Sequence, residues 1–248
     1  SAHAHRKDEH LSLAEAEFRR HAPVSSLHQV RIIHQGLPET RVANVDLTVD
    51  DPIFNFKTPF YIEAMTGGSQ KTGKINAQLA TAAKETGLAM AVGSQSVALK
   101  DENAIDTFKV VREINPDGFI MANIGAGHTA AHAQEVVDMI GANALEVHIN
   151  VAQEVVMPEG DRDYIWQDEL ANIIQTVSVP VIIKEVGFGM AKETIGQLRD
   201  LGAQYINLGG RSGTNFAVIE DRRNRAMTAE HGYLYDWGQT TAESLLEA

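Results

Sequence analysis

Short apolar runs alternate with longer amphipathic segments along the chain from about residue 58 onward. This alternation predicts repeated βα units around a parallel sheet, because buried parallel strands are continuously apolar whereas the helices between them are apolar on one face. We predict six strands, at residues 59–62, 88–92, 118–122, 144–148, 181–184 and 205–208. The predicted helices include residues 76–84, 133–140, 167–176 and 190–201.

Small-residue turns connect these helices to the next strands. Gly87, Gly141 and Gly202 follow three of the helices, and Pro180 closes a fourth. Such short connections are typical of a (β/α) barrel or a doubly wound sheet. We predict an α/β fold, a TIM (β/α)8 barrel of which residues 58–248 supply about six βα units. Because a closed barrel has eight units, we expect two further units to be missing from the C-terminal end.

The first 57 residues do not follow the repeat, and we interpret residues 1–57 as an N-terminal extension that caps the barrel. Its basic head, Arg6 and Lys7, is unusual in a chain with 21 Lys+Arg against 33 Asp+Glu and a net charge of −12. This charge disfavours nucleic acid and anionic membranes as partners, so an anionic ligand needs a local basic cluster. With no cysteine and no long apolar run, disulfides, thiolate nucleophiles and a membrane span are excluded, and we expect a cytoplasmic protein.

Polar groups beside small residues follow every predicted strand, at the edge where (β/α) barrels build their active sites. These segments are residues 64–68, 93–96, 123–127, 148–154, 184–187 and 209–214. Glycine lets backbone N–H groups approach a flat or phosphorylated ligand closely. The six segments together therefore predict a ligand site.

Lys184 ends an apolar strand, so we expect its ammonium to face the barrel mouth. Its acceptor is a Schiff-base carbonyl, a phosphate, the polar edge of a cofactor ring or a carboxylate such as that of Glu185. In the segment after the fourth strand, Glu154 follows Asn150 and Gln153. One carboxylate near amide oxygens suits Mg²⁺, which completes its octahedron with waters and phosphates.

Two other polar patterns are weaker evidence for a functional site. His128 and His132 stand four residues apart, but the glutamate of a zinc protease motif is missing, so we predict two surface histidines on one helix. Glu159, Asp161 and Asp163 lack the rest of a calcium loop, and we predict a solvated turn there.

As a set, these segments closely resemble the type 2 isopentenyl-diphosphate isomerases, in order from Arg6 to about Gly238. The motifs that carry the resemblance are residues 6–10 (RKDEH), 64–68 (AMTGG), 93–95 (GSQ), 123–125 (NIG), 148–154 (HINVAQE), 156–160 (VMPEG), 184–189 (KEVGFG) and 213–214 (GT).

The resemblance implies a TIM-barrel enzyme that interconverts isopentenyl and dimethylallyl diphosphate. It implies reduced FMN as acid and base, Mg²⁺ on the diphosphate and NADPH as reductant. It also implies a homo-oligomer, a tetramer or octamer. The protein then supplies binding, orientation and electrostatics.

Site residues are likewise implied by the resemblance. The implied flavin contacts are Ala64, Met65, Thr66, Ser94, Asn123, Lys184 and Thr214. The implied substrate contacts are Arg6, Lys7, Ser94, Gln95, Ser96, His148, Asn150 and Gln153. Among these, His148, Gln153 and Lys184 are implied in catalysis. Glu154 is the implied magnesium ligand.

The chain departs from the family pattern at several positions. Ser96 stands where many members have an arginine that helps to hold the diphosphate, Gly209 replaces a serine, and Ser212 interrupts a pair of glycines. The loops after strands seven and eight, which hold the flavin phosphate in the family, are not present. Two alternatives stay open: another FMN-dependent barrel oxidoreductase, disfavoured because His/Arg machinery for hydride abstraction is not evident, and a non-catalytic diphosphate-binding remnant.

Overall fold

A computed structural model of the protein describes residues 2–22, 24–224 and 231–248. The strands in these residues are Tyr61–Ile62 (β1), Ala89–Ala91 (β2), Ile120–Gly125 (β3), Ala144–His148 (β4), Val181–Lys184 (β5) and Tyr205–Asn207 (β6). The helices are Ala2–Arg20 (α1), Gln70–Thr86 (α2), Asp106–Ile114 (α3), Ala130–Ile140 (α4), Val151–Val156 (α5), Gln167–Thr176 (α6), Lys192–Asp200 (α7), Phe216–Arg223 (α8) and Thr241–Glu247 (α9).

The six strands form one parallel sheet in the order β1-β2-β3-β4-β5-β6. A doubly wound sheet reverses its strand order at a switch point, whereas a barrel winds in one direction. The sequential order therefore confirms the predicted α/β barrel architecture with six βα units. The two further units that the pattern predicts stay a prediction.

Contacts between the outer strands show that the sheet is curled. The side-chain amide of Asn207 in β6 donates to the hydroxyl of Tyr61 in β1 over 2.6 Å. In a flat six-stranded sheet, five spacings of about 4.8 Å would separate these strands by roughly 24 Å. The sheet consequently encloses an interior, with its first and last strands in side-chain contact.

Residues alternate between the outside and the interior along each strand. In β4, Leu145 and Val147 point outward and pack in the core beneath the helices. Ala144 points inward, in a small apolar cluster with Met121 and Ile182. Farther along β4, Glu146 and His148 share the inward direction of Ala144. The interior thus changes from apolar to polar toward the carboxyl ends of the strands.

Aromatic side chains close the amino-terminal end of the interior. Phe54 packs edge-on against Tyr205, with ring centroids 4.6 Å apart, and Phe56 packs against Phe119 at 5.1 Å. The hydroxyl of Tyr205 donates to Asp51 over 3.0 Å. The segment around Phe54 therefore fills this end of the barrel. The division between extension and barrel at residue 57 stays a prediction.

Helix α1, which the sequence pattern does not predict, lies at the opposite end and packs against α8 and α2. Polar contacts hold it there: Ser69 Oγ donates to Asp8 Oδ1 over 2.6 Å, and Arg222 pairs with Glu17. The face of α1 that packs against α8 and α2 is largely charged. The helix therefore lacks the apolar stripe by which amphipathic helices are identified. Among the residues that the structure describes, no helix combines the length and apolar character that crossing a membrane requires.

The first two strand exits touch through their backbones, which yields a test of the packing. A β-carbon built on Gly93 would lie 2.5 Å from the nitrogen of Thr66, whereas one on Gly196, inside α7, would meet no atom within 4 Å. We expect Gly93→Ala to lower the free energy of unfolding by about 1–3 kcal/mol. Gly196→Ala should raise it by roughly 0.5–1 kcal/mol, since alanine favours helix interiors. Urea unfolding measures both; equal effects would contradict the close approach.

Candidate active site

A cavity of 780 Å³ lies at the carboxyl ends of the strands, within the range of roughly 300–1,000 Å³ for small-molecule sites. All six strand exits and helix α1 contribute to its wall. The residues predicted from sequence that line it are Arg6, Lys7, Ala64, Met65, Thr66, Ser94, Ser96, Asn123, His148, Asn150, Gln153, Glu154, Lys184 and Thr214. The structure therefore brings together almost every predicted site residue.

Beneath the cavity, side chains from five strands and their exits form a connected polar layer inside the barrel. Its members are Tyr61, Glu63, Asn123, Glu146, Lys184 and Asn207. Strand register explains the convergence, because Asn123 is opposite Glu146 and Lys184 is opposite Asn207 in neighbouring strands. Directly opposed residues of parallel strands point to the same face.

Lys184 is the buried cation of this polar layer, with its side chain 7% exposed. Its Nζ lies 3.3 Å from Glu63 Oε1 and donates to the backbone carbonyl of Glu185 over 3.3 Å. The carboxylate of Glu185 instead accepts the N–H groups of the residues that follow it, including Phe188 at 2.6 Å. Among the open possibilities, the carboxylate partner of Lys184 is thus Glu63, not Glu185.

Glu146 is fully buried and accepts a hydrogen bond from Asn123 Nδ2 at 3.1 Å. Burial, together with the neighbouring Glu63, raises its pKa to about 7, although Lys184 and the hydrogen bond from Asn123 oppose this. A carboxyl group with such a pKa changes its protonation state near neutral pH. The polar layer therefore contains a titratable acid next to its ammonium group.

His148 projects from the end of β4 into the cavity. Its Nδ1 lies 2.9 Å from Asn123 Oδ1. Because Asn123 Nδ2 donates to Glu146, the amide oxygen faces His148, and Nδ1 carries the proton of that bond. Burial, followed by the positive charges of Lys184 and Lys7, lowers the pKa of His148 to about 3. The neutral ring consequently keeps its lone pair on Nε2.

Gln95 differs from the expectation that it contacts substrate. Its side chain is fully buried and does not line the cavity. Nε2 donates to the carbonyl of Val136 over 3.0 Å, and Oε1 accepts the backbone N–H of Asn123 over 3.1 Å. A buried amide must satisfy both ends, and here the core does so. In this structure Gln95 orients Asn123 instead of facing a ligand.

Helix α1 brings two adjacent cations to the cavity. Arg6 Nη1 lies 3.3 Å from Glu159 Oε1, while Arg6 Nε is buried without a hydrogen-bond partner among the described residues. Burial and the charge of Arg6 lower the pKa of Lys7 to about 8. An unsatisfied buried donor next to a desolvated ammonium group is an environment that favours an anionic ligand.

Gln153 is held by a residue that the sequence pattern does not single out, Glu220 of α8. The Gln153 amide donates to Glu220 Oε1 over 3.0 Å, His10 Nε2 lies 3.0 Å from the same oxygen, and Arg223 donates to Oε2 over 2.8 Å. Although burial opposes ionisation, the adjacent His10 and hydrogen bonds from Gln153 and Arg223 lower the pKa of Glu220 to about 2. This anion fixes the orientation of the Gln153 amide and of α1.

Glu154 lines the cavity on the first turn of α5. Its Oε1 accepts from Asn150 Nδ2 and its Oε2 from the backbone N–H of Asp161, each over 2.7 Å. Within the described ranges, no three His, Cys, Asp or Glu side chains are grouped to hold a metal ion. Glu154 therefore offers a single carboxylate with a fixed orientation.

The cavity wall includes several residues that the sequence pattern assigns to the protein surface. His128 precedes α4 and lines the cavity, whereas His132 lies on the exposed helix surface as predicted. Glu159 and Asp161 are exposed, in keeping with a solvated turn, but they also line the cavity. The available signal for His128 is its place three residues after Gly125 in a strand exit.

Comparisons with known proteins agree with this architecture. The chain is 54% identical over 248 residues to an isopentenyl-diphosphate delta-isomerase from Lacticaseibacillus paracasei, covering 100% of this chain and 71% of that protein. It is 46% identical over 244 residues to the protein of the same name from Staphylococcus epidermidis, covering 98% and 69%. No protein-family model matches the chain.

Among solved structures, a lactate oxidase from Pediococcus acidilactici has a similar fold. The TM-score is 0.55 at 12% sequence identity, and the match covers 88% of this chain and 69% of that one. At this identity the likeness concerns the fold alone, and it supports the barrel architecture.

The titration of Glu146 predicts a pH dependence of stability. Its pKa rises from 4.5 unfolded to about 7 folded, so the folded state favours the protonated form. The contribution of Glu146 to the free energy of unfolding is fully present below pH 4.5 and is lost as the pH rises through 7. Between pH 5 and pH 8, we expect the free energy of unfolding of the unaltered protein to fall by about 2 kcal/mol more than that of Glu146→Gln.

Urea unfolding at both pH values measures this difference. The matched control is Glu113→Gln, which removes an exposed carboxylate from α3 and should follow the unaltered protein. Parallel pH dependences for Glu146→Gln and the unaltered protein would contradict the assigned titration.

Proposed function

Because the chain belongs to the isopentenyl-diphosphate delta-isomerases, we propose that its cavity interconverts isopentenyl and dimethylallyl diphosphate by the type 2 route, with reduced FMN and Mg²⁺. One observation supports the proposal independently of the family name. Arg6, Lys7, His148 and Lys184 converge on a single cavity in a protein of net charge −12. A local cationic site in an acidic protein fits a small anionic ligand.

The diphosphate end of the substrate is proposed to bind near α1. The partnerless Arg6 Nε supports this, because an anion there would satisfy a buried donor. The low pKa values of Lys7 and His148 support it as well, since burial and, after it, neighbouring positive charges disfavour their charged forms. Asn150 and Gln153 add amide groups to the same wall.

The donor set at the strand exits fits FMN. Thr66, Ser94, Asn123 and Thr214 present hydroxyl and amide groups to the cavity, and Lys184 presents a buried ammonium. Ala64 and Met65 would contribute apolar contact. When bound, reduced FMN supplies the acid and base for the double-bond shift. Lys184 would hold the polar edge of the ring and favour its anionic form.

Glu154 fits the role of a magnesium ligand. Mg²⁺ is usually bound by one or two carboxylates and by substrate phosphates and waters. A lone carboxylate oriented by Asn150 and by the backbone of Asp161 matches this donor set. Glu154 would thereby link the metal, and the diphosphate on it, to α5.

The remaining groups orient the side chains at the cavity wall and limit the access of water. Glu220 keeps the Gln153 amide in place, so Gln153 presents a fixed polar group to the substrate. His148 keeps Nδ1 protonated toward Asn123 and offers Nε2 to the cavity. Helix α1 covers the mouth and limits the access of water, which strengthens the interactions of charged groups inside.

A hydroxy-acid oxidase is not favoured, since the likeness to the lactate oxidase concerns the fold alone. NADPH as reductant and a homo-oligomeric state remain proposals that rest on the family resemblance. A cytoplasmic location remains a proposal that rests on the amino-acid composition.

Isotope incorporation tests the proposed reaction. The full chain, with FMN reduced and Mg²⁺ present, should introduce deuterium from D₂O into isopentenyl diphosphate and form dimethylallyl diphosphate. With oxidised FMN the exchange should stop. Exchange that is independent of the flavin state, or oxidation of a 2-hydroxy acid instead, would contradict the proposal.

Removing the charge of Glu154 tests the proposed metal role. We expect Glu154→Gln to lower kcat/KM on the order of 100-fold, because a neutral amide binds Mg²⁺ poorly. FMN binding, followed by the flavin spectrum, should remain unchanged. The control Glu135→Gln alters an exposed carboxylate of α4 and should retain full activity. Loss of flavin from Glu154→Gln with its Mg²⁺ dependence intact would contradict the metal role.

A further inference from the structure

His128 lies close to His148, and both line the cavity. A β-carbon built on Gly125 would be 3.2 Å from His148 Nε2 and 3.9 Å from His128 Cδ2. These two atoms are therefore no more than about 7 Å apart. The absence of a side chain at Gly125 lets both imidazoles approach one region of the cavity. His128 thus comes from the exit of β3, and His148 comes from the exit of β4.

Most other basic side chains of the cavity already face a carboxylate. Arg6 pairs with Glu159, Lys184 with Glu63, and His10 lies beside Glu220. Within the described part of the chain, His128 and Lys7 form no ion pair. These two basic side chains are consequently available to an anion bound in the cavity.

The surroundings of His128 are mostly positive. Lys100 from the segment after β2, His132 from α4 and His148 from β4 face it, and Asp161 from the loop after α5 is the acidic group among the described residues that offsets them. Burial, then the charges of His132 and Lys100, lowers the pKa of His128. Its ring is therefore mainly neutral at pH 7 as long as no anion is bound.

We propose that His128 is a further diphosphate-binding residue, which acts with Arg6 and Lys7 in the same cavity and takes up a proton when the diphosphate binds. The inference rests on the proposed function and extends it to a residue outside the implied site. A multiply charged anion in this cavity reverses the local field and favours the imidazolium form. The protonated ring then donates a charge-assisted hydrogen bond.

Calorimetric binding of inorganic pyrophosphate with Mg²⁺ to the full chain tests the inference. At pH 7, titrations in buffers of different ionisation enthalpy give both Kd and the number of protons taken up. We expect His128→Gln to weaken binding about 10-fold and to reduce proton uptake by about half a proton per site. Proton changes of pyrophosphate itself are common to all variants, so the difference isolates His128.

The matched control is His132→Gln, which removes an exposed imidazole whose ring centroid lies 5.5 Å from that of His128. It should retain the Kd and proton uptake of the unaltered chain to within about twofold. His128→Asn is a second variant, with folding of each checked by circular dichroism. It should weaken binding as His128→Gln does.

The outcomes separate the inference from the proposed function. If Arg6→Gln weakens pyrophosphate binding while both His128 variants bind and take up protons as the unaltered chain does, the role of His128 is wrong and the proposed function stands. If the unaltered chain does not bind pyrophosphate, both are wrong. Equal losses in His128→Gln and His132→Gln would also overturn the inference, because they would indicate a general effect of charge.

Discussion

An ammonium group held inside a barrel of strands must be compensated, and the organisation of this protein follows from that requirement at Lys184. A buried charge without a partner costs several kcal/mol. The curled sheet meets the requirement by bringing Glu63 from the exit of β1 and Glu146 from β4 to the same layer. These carboxyl groups in turn need donors, which Asn123 and Asn207 provide. The polar layer is therefore a single connected network, and five of the six strands or their exits contribute to it because the curled sheet brings their side chains together.

Compensation of charged groups also explains the position of helix α1 at the mouth of the barrel. It is held by charges and hydrogen bonds, including those of Asp8 and Glu17, and it brings Arg6 and Lys7 over the carboxyl ends of the strands. Glu220 serves two purposes, since it anchors α1 through His10 and orients Gln153. The cavity thereby combines a cationic wall with fixed amides in a protein whose overall charge is strongly negative.

The strands and the helices α2, α4, α6 and α7 were predictable because their periodicities reflect burial, and the strand exits followed from topology. Helix α1 was not predictable, since its buried face is polar. Gln95 was misassigned because a strand exit does not reveal whether an amide turns into the core. His128 was assigned to the surface because a pair of histidines four residues apart is typical of a helix, yet the helix begins after it. The inward direction of Glu146 follows from the alternation along β4, but its raised pKa depends on burial by the folded chain and on Glu63, 83 positions away in the chain.

The central claim is that the cations of α1 and the imidazoles at the exits of β3 and β4 form one anion site above the polar layer. Amide hydrogen exchange with and without Mg²⁺-pyrophosphate measures this directly, because binding slows exchange where the ligand orders the backbone. The account predicts slower exchange in α1, in residues 125–128 and in residues 148–154 together, with no change around Phe54 at the opposite end of the barrel. Unchanged exchange in α1, or slowing confined to the end that contains Phe54, would contradict it.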